Sequence, residues 1–263
     1  MGTRWRRSTG PCATTRFYAV MLRKMKLTVI GCSPAWPNPG GAQSGYLVEG
    51  SGRLLLDCGP GVLPRLRERE EWPRIDAIAI THFHLDHWGD IVPWVWGSQY
   101  GPGRDVPRVQ LWVGPNGKRD LRHFGLHFGN ESMFEKAFDL REYREGEPFE
   151  AAGHTVTAVR VPHYEIETYA FRVSNGTRTL AYSGDSGPSE KLEEVARDAD
   201  LFLCEATLRE GKEAGDLRGH LSADEAVNAF EASGARRLVI VHRPRELDLN
   251  GLERASDGDV FDV

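Results

Sequence analysis

The segment Thr81-His82-Phe83-His84-Leu85-Asp86-His87 places three imidazoles and a carboxylate directly behind an apolar run, Ile75 to Ile80. Imidazole nitrogen and carboxylate oxygen together suit zinc or another borderline divalent ion. Side chains this close in sequence cannot all converge on one ion without strain. Sharing them between two ions is more economical. His82 and His84, two apart on an extended segment, point the same way. Asp86 and His87, at the turn into a helix, can face a second ion. Each ion then needs ligands from farther along the chain.

Suitable side chains recur behind later apolar runs. His163 follows Val159-Arg160-Val161-Pro162, Asp185 follows Leu180-Ala181-Tyr182-Ser183-Gly184, and His242 follows Leu238-Val239-Ile240-Val241. A lone histidine after a strand is more often structural or exposed than a ligand. Joined to the first cluster, these three complete a set of six to seven ligands.

The elements that must position them follow from periodicity. Lys26 to Ile30 is expected to form a strand. Tyr46 to Glu49 and Arg53 to Asp57 form a hairpin closed by Gly50-Ser51-Gly52. Helices are expected over Pro60 to Glu71, Asp86 to about Gln99, Lys118 to Phe128, Ser132 to Phe138 and Ser189 to Arg197. Further strands are expected at Ile75 to Ile80, Val109 to Val113, Thr155 to Val161, Tyr169 to Val173, Thr179 to Tyr182, Leu201 to Cys204 and Arg237 to Val241. Val260 to Val263 reads as an edge strand. Ser222 and Glu225 have the spacing of a capping box, which opens a helix burying Ala226, Val227, Ala229 and Phe230. Strands and helices mix in both halves, with polar residues at strand ends, as in a layered α/β protein whose site lies on one rim. No internal repeat divides it.

Composition narrows the function classes. The chain has 263 residues and a formal charge of −5. Residues 1–26 hold seven basic side chains and no acidic one, which leaves 26 basic against 38 acidic residues, about −12, for residues 27–263. An acidic body repels a polyanion over long range. Cys12, Cys32, Cys58 and Cys204 offer no CxxC pair, and the last three, beside apolar runs, are expected to be buried thiols in a reducing, cytoplasmic compartment. No apolar run approaches the roughly 20 residues needed to cross a bilayer. Residues 1–24 read as a disordered or mis-assigned extension and residues 25–263 as one domain.

Beyond the histidine cluster, the ordered pieces Ile30-Gly31-Cys32, Ser44-Gly45-Tyr46-Leu47, Asp57-Cys58-Gly59, Ser183-Gly184-Asp185, Cys204-Glu205-Ala206-Thr207 and His220-Leu221-Ser222 complete a pattern. With His163 and Val241-His242, it resembles the metallo-β-lactamase-fold hydrolases, on their ribonuclease Z and small phosphodiesterase side, from about Lys26 to Val263. The resemblance implies an αββα sandwich of two mixed β-sheets faced by helices. It implies two divalent ions, zinc first and manganese second. His82, His84 and His163 would hold one, and Asp86, His87 and His242 the other. Asp185 would bridge them, and Asp57 would support the histidines without being a ligand. Catalysis would run through a metal-bridging hydroxide, with Asp86 accepting its proton.

In relatives with the Glu-Ala-Thr and His motifs, those residues assist phosphodiester cleavage; here they are Glu205 and His220. A carboxylate beside an imidazole favours its protonated form, which could donate to a leaving alkoxide. The plainer alternative is that Glu205 caps a loop and His220 only supports a ligand. A small phosphodiester such as a cyclic nucleotide is the first substrate expected, with no membrane partner and with a homodimer left open. A tRNA 3′-processing endonuclease is the alternative. It is disfavoured because the stretch from His87 to His163 has no glycine- and lysine-rich arm and the loop Ser33 to Ser44 no basic residue. A lactone or thioester hydrolase comes third, and a non-catalytic metal-binding protein last, because the ligand set is intact. Arg104, Arg108, Lys118, Arg119 and Arg122 form either a basic patch or a solvated face. Arg243 and Arg245, directly after His242, would meet an anionic substrate or pair with Glu246 and Asp248.

Overall fold

The computed structural model describes residues 24–211, 217–249 and 251–263. The expected N-terminal extension lies outside the described residues except for Lys24. Two sheets carry the fold. The first has seven strands: β1 (Lys26–Gly31), β2 (Gly45–Glu49), β3 (Arg53–Leu56), β4 (Ala77–Ala79), β5 (Val109–Val113), β6 (Phe138–Glu142) and β13 (Val260–Asp262). Their spatial order is β13-β1-β2-β3-β4-β5-β6. The second runs β12-β11-β10-β9-β8-β7. Its strands are β7 (Phe149–Ala151), β8 (His154–Val161), β9 (Thr168–Ser174), β10 (Thr179–Tyr182), β11 (Leu201–Glu205) and β12 (Leu238–Val241).

Period-2 alternation builds the layers. Leu54 and Leu56 of β3 face the core between the sheets, where they join Leu27, Val29, Phe171, Val173, Leu203 and Val241. Leu55 turns the other way, toward Trp94, Leu121 and Phe134 of the helices on the outer face. Those helices are α1 (Val62–Arg67), α2 (Leu85–Trp88), α3 (Ile91–Tyr100), α4 (Gly117–His127) and α5 (Met133–Ala137). On the second sheet, Val159, Phe202 and Ile240 pack against α6 (Glu190–Ala196) and α7 (Ala223–Ser233) through Leu192, Val195, Ala226 and Ala229. The result is the expected αββα sandwich. Each fully buried Leu or Phe contributes about 1.5–3 kcal/mol.

Several elements differ from the periodicity. The helix expected over Pro60 to Glu71 spans only Val62–Arg67. The single helix expected from Asp86 is two, because Asp90 is drawn sideways: its N–H donates to Cys58 O (3.0 Å) and its carboxylate accepts from Leu63 N–H (2.8 Å). Ser132 to Phe138 is helical only over Met133–Ala137, after which Phe138 starts β6 alongside β5. β7 is an unforeseen three-residue strand. The chain past β12 runs beside it: Ile240 N–H donates to Glu253 O and Ala255 N–H to Ile240 O. The capping box opens α7 as expected, with Ser222 N–H donating to Glu225 Oε2 at 2.9 Å.

Parallel pairing decides where the functional side chains go. β3, β4 and β5 are mutually parallel, as are β10, β11 and β12. Parallel neighbours end on the same side. Asp57 and Thr81-His82 therefore share one rim of the first sheet, and Asp185, Glu205 and His242 one rim of the second.

Candidate metal centre

The structure brings six of the nine histidines to this rim in three overlapping groups: His82, His84, His163 and Asp185; Asp86, His87, Asp185 and His242; Glu205, His220 and His242. Within each group the donor atoms lie within 4.8 Å of one another.

In the first group, His84 Nδ1 is 3.1 Å from His82 Nε2 and 2.9 Å from His163 Nε2. Asp185 Oδ2 is 3.9 Å from both His82 Nε2 and His163 Nε2. In the second, Asp86 Oδ2 is 3.0 Å from His242 Nε2 and 3.4 Å from His87 Nε2, and Asp185 Oδ1 is 3.3 Å from His87 Nε2. Nitrogens bound to one tetrahedral zinc at the usual bond length are about 3.3 Å apart. Asp185 thus offers one oxygen to each group. His87 Nε2 and Asp185 Oδ1 are buried and make no hydrogen bond to another described residue. Two such atoms facing each other in a dry site are costly unless a cation lies between them. The donor set fits a pair of divalent ions.

The backs of the imidazoles are held as well. His87 Nδ1–H donates to Asp57 Oδ2 at 2.7 Å. The same oxygen accepts from Tyr182 O–H (2.8 Å), and Asp57 Oδ1 from Thr81 N–H (2.8 Å). The Thr81 hydroxyl lies 3.1 Å from His82 Nδ1. His163 Nδ1–H donates to Gly219 O at 2.6 Å. His242 Nδ1 meets the Thr207 hydroxyl at 2.9 Å, and that hydroxyl donates to Glu205 Oε2 at 2.8 Å. These contacts fix ring tautomers so that the opposite nitrogens face the ion positions. Thr81, Thr207 and Tyr182 carry no role in the sequence pattern. The signal for both threonines is position, since each lies two residues past the end of a strand, inside a motif already singled out.

Electrostatics follows from this packing. Burial holds His82, His84 and His163 below the ordinary imidazole range, leaving neutral lone pairs for a metal. Burial opposes ionisation of Asp185, but His242 and His87 outweigh it and keep the carboxylate charged. Burial is likewise outweighed at Asp86, by the hydrogen bond with His242 and the nearby His87 imidazole. His87 is raised despite burial, by Asp185 and Asp57.

Glu205 is fully buried and its carboxylate is saturated. Oε1 accepts from Ser186 N–H (2.9 Å) and His220 Nδ1–H (2.8 Å), and Oε2 from Thr207 N–H and O–H. His220 Nδ1 is 4.0 Å from Asp185 Oδ2, and the ring stacks on His242 at 5.7 Å. Arg218, paired with Glu225 of α7 and donating to His220 O, pins this loop to the helix.

Other candidates fall elsewhere. Arg243 is buried and donates to the carbonyls of Ala206, Leu208 and Asp248, so it braces the loop behind His242 and does not face a substrate. Arg104, Arg119 and Arg122 pair with Asp105, Asp120 and Glu135 on a solvated face. Cys32, Cys58 and Cys204 are buried free thiols, pushed up by burial. No helix among the described residues is long and apolar enough to cross a membrane.

The family model described as a Beta-lactamase superfamily domain matches residues 52–243. The chain belongs to this superfamily. Among its members, the chain is 30% identical over 226 residues to the probable metallo-hydrolase YhfI of Bacillus subtilis, covering 84% of this chain and 87% of that one. The crystal structure of YhfI matches with a TM-score of 0.79 at 25% identity, covering 91% of this chain and 100% of that one. A ribonuclease Z of Myxococcus xanthus is 29% identical over 270 residues, 83% of this chain and 86% of that one. The human short-form tRNase Z shares the fold, with a TM-score of 0.71 at 23% identity over 90% and 98% of the two chains. The protein is thus a metallo-hydrolase of the superfamily.

Proposed function

We propose that this superfamily member hydrolyses a small phosphodiester, with a cyclic nucleotide as the first substrate class, at a pair of divalent ions. His82, His84 and His163 would hold one ion, Asp86, His87 and His242 the other, and Asp185 both. Zinc is the first candidate and manganese the second. Bound there, such ions supply a nucleophile at neutral pH and offset charge developing on a phosphoryl oxygen.

The observation that carries the phosphodiester reading is the Glu205–His220 pair, 2.8 Å apart beside the shared Asp185. Cleaving a phosphodiester releases an alkoxide that needs a proton. Glu205 holds Nδ1 and stabilises the imidazolium, so the proton leaves from Nε2 to the departing oxygen. Asp86, hydrogen-bonded to His242, would accept a proton from the attacking water. Asp57, Thr81 and Thr207 orient rings and exchange no proton with substrate.

A small substrate is favoured over a large RNA because the described stretch between His87 and His163 forms no protruding arm. Residues 88–162 fold into sheet strands and the helices packed on them. The arginines paired with acids on the outer face leave less uncompensated charge for phosphates. The ribonuclease Z relative supports tRNA 3′ processing as the second reading, with lactone or thioester hydrolysis third. A screen of zinc- and manganese-loaded protein against cyclic nucleotides, bis-p-nitrophenyl phosphate, precursor tRNA, a lactone and a thioester tests the order. Preference for a cyclic nucleotide is expected; preference for the lactone would overturn the proposal.

A further inference from the structure

Tyr164 directly follows His163 in the loop between β8 and β9. Its φ is +50°, a left-handed conformation that a bulky aromatic side chain rarely adopts. Such a backbone persists only where its surroundings over-determine it, and it is found preferentially at functional sites. Here the surrounding is Gly219. A Cβ on Gly219 would come within 2.3 Å of Tyr164 Cε2 and Cζ, so the ring occupies space that any side chain at 219 would fill. The carbonyl of that same residue orients His163.

The ring is pinned but not hidden. It remains 42% exposed, with centroids 4.9 Å from His163 and 5.7 Å from His220. Other aromatic side chains close in sequence to the ligands are spent elsewhere. Phe83, Trp88 and Trp94 pack in the helix layer, and Trp96 and Tyr100 stack on each other. Among the described residues, Tyr164 is the one aromatic side chain outside the histidines whose ring meets imidazoles of the metal centre.

We infer that Tyr164 is a specificity-determining residue, whose exposed ring forms a stacking platform for the nucleobase or other aromatic group of the substrate. This rests on the phosphodiester reading above. A π-face accepts every base, so the platform selects an aromatic substituent over an aliphatic one and discriminates little between purine and pyrimidine.

The test compares adenosine 3′,5′-cyclic phosphate with the abasic ribose 3′,5′-cyclic phosphate, which keeps the same phosphodiester. The metal-loaded full chain is measured as wild type, Tyr164→Phe and Tyr164→Gly. Glycine is at ease at this φ, so Tyr164→Gly removes the ring without disturbing the loop, and unchanged metal content checks this. Tyr164→Gly is expected to raise KM for the nucleotide about tenfold, with KM for the abasic compound moving less than about twofold and Tyr164→Phe staying near wild type. Equal effects on both compounds, or no effect on either, would overturn the platform. If the wild type cleaves neither compound, the phosphodiester reading fails. Binding of adenosine 5′-monophosphate against ribose 5-phosphate then decides Tyr164 by itself. Weakening confined to the nucleotide in Tyr164→Gly upholds the platform; equal affinities overturn it.

Discussion

The two ion-sized groups share Asp185 but are built differently. In the group of His82, His84 and His163, Asp57 reaches His82 only through the Thr81 hydroxyl, His163 is backed by the Gly219 carbonyl, and His84 is only half-buried. The group of Asp86, His87 and His242 is buried throughout. It also carries a second carboxylate as a donor, and buried acids stand behind its imidazoles: Asp57 directly on His87, Glu205 on His242 through Thr207. A carboxylate behind an imidazole raises its basicity and fixes its tautomer. The contrast predicts tighter retention of an ion at the second group and readier exchange at the first.

The largest expected effect comes from the residue both groups share. Asp185→Ala should lower metal content at both positions and cut hydrolysis by about a thousandfold or more, seen by elemental analysis and turnover on one sample. Full activity in a metal-defined preparation would sink the dinuclear assignment. His84→Ala should break the symmetry, leaving the buried group near one ion per chain while activity still falls by roughly two to three orders of magnitude. Loss of both ions would show that the groups are not separable. His220→Gln should slow turnover by about a hundredfold with metal content unchanged, as expected for a proton donor. Rates equal to the parent's would remove His220 from the mechanism. Asp57→Asn, an exchange tolerated at this residue's φ of 58°, should weaken the buried group's ion by about 10- to 100-fold and the other, reached only through Thr81 and His82, by less. The mildest probe is graded chelation, which should release metal in two stages, the half-exposed group first; a single stage would erase the contrast.

The fold was legible wherever one periodicity acted alone. The alternating strand at Thr155 to Val161, the short apolar strand at Thr179 to Tyr182 and the capped helix after Ser222 lie where the pattern puts them. It was not legible where a tertiary contact overrode local preference. The break at Gly89-Asp90 comes from a carboxylate claimed by the backbone of α1, 27 residues earlier in the chain. The strand at Phe138 exists because β5 offers it a parallel partner. Arg243 reads from sequence either as a contact for an anionic substrate or as a partner for Glu246 or Asp248, because sequence shows its distance from His242 but not the three carbonyls that consume its guanidinium.

The sequence by itself determined the metal-binding chemistry, because dense histidine and aspartate spacing has few other uses, and it determined the order of strand ends that deliver it. Only the tertiary structure decided how those ends combine. Parallel pairing within each sheet, and stacking of one sheet on the other, bring Asp57 to His87, Glu205 to His220 and Gly219 to Tyr164. These partners lie 30, 15 and 55 residues apart in the chain. Hydrogen bonding and ring packing act over a few ångströms, so no local spacing could have announced them.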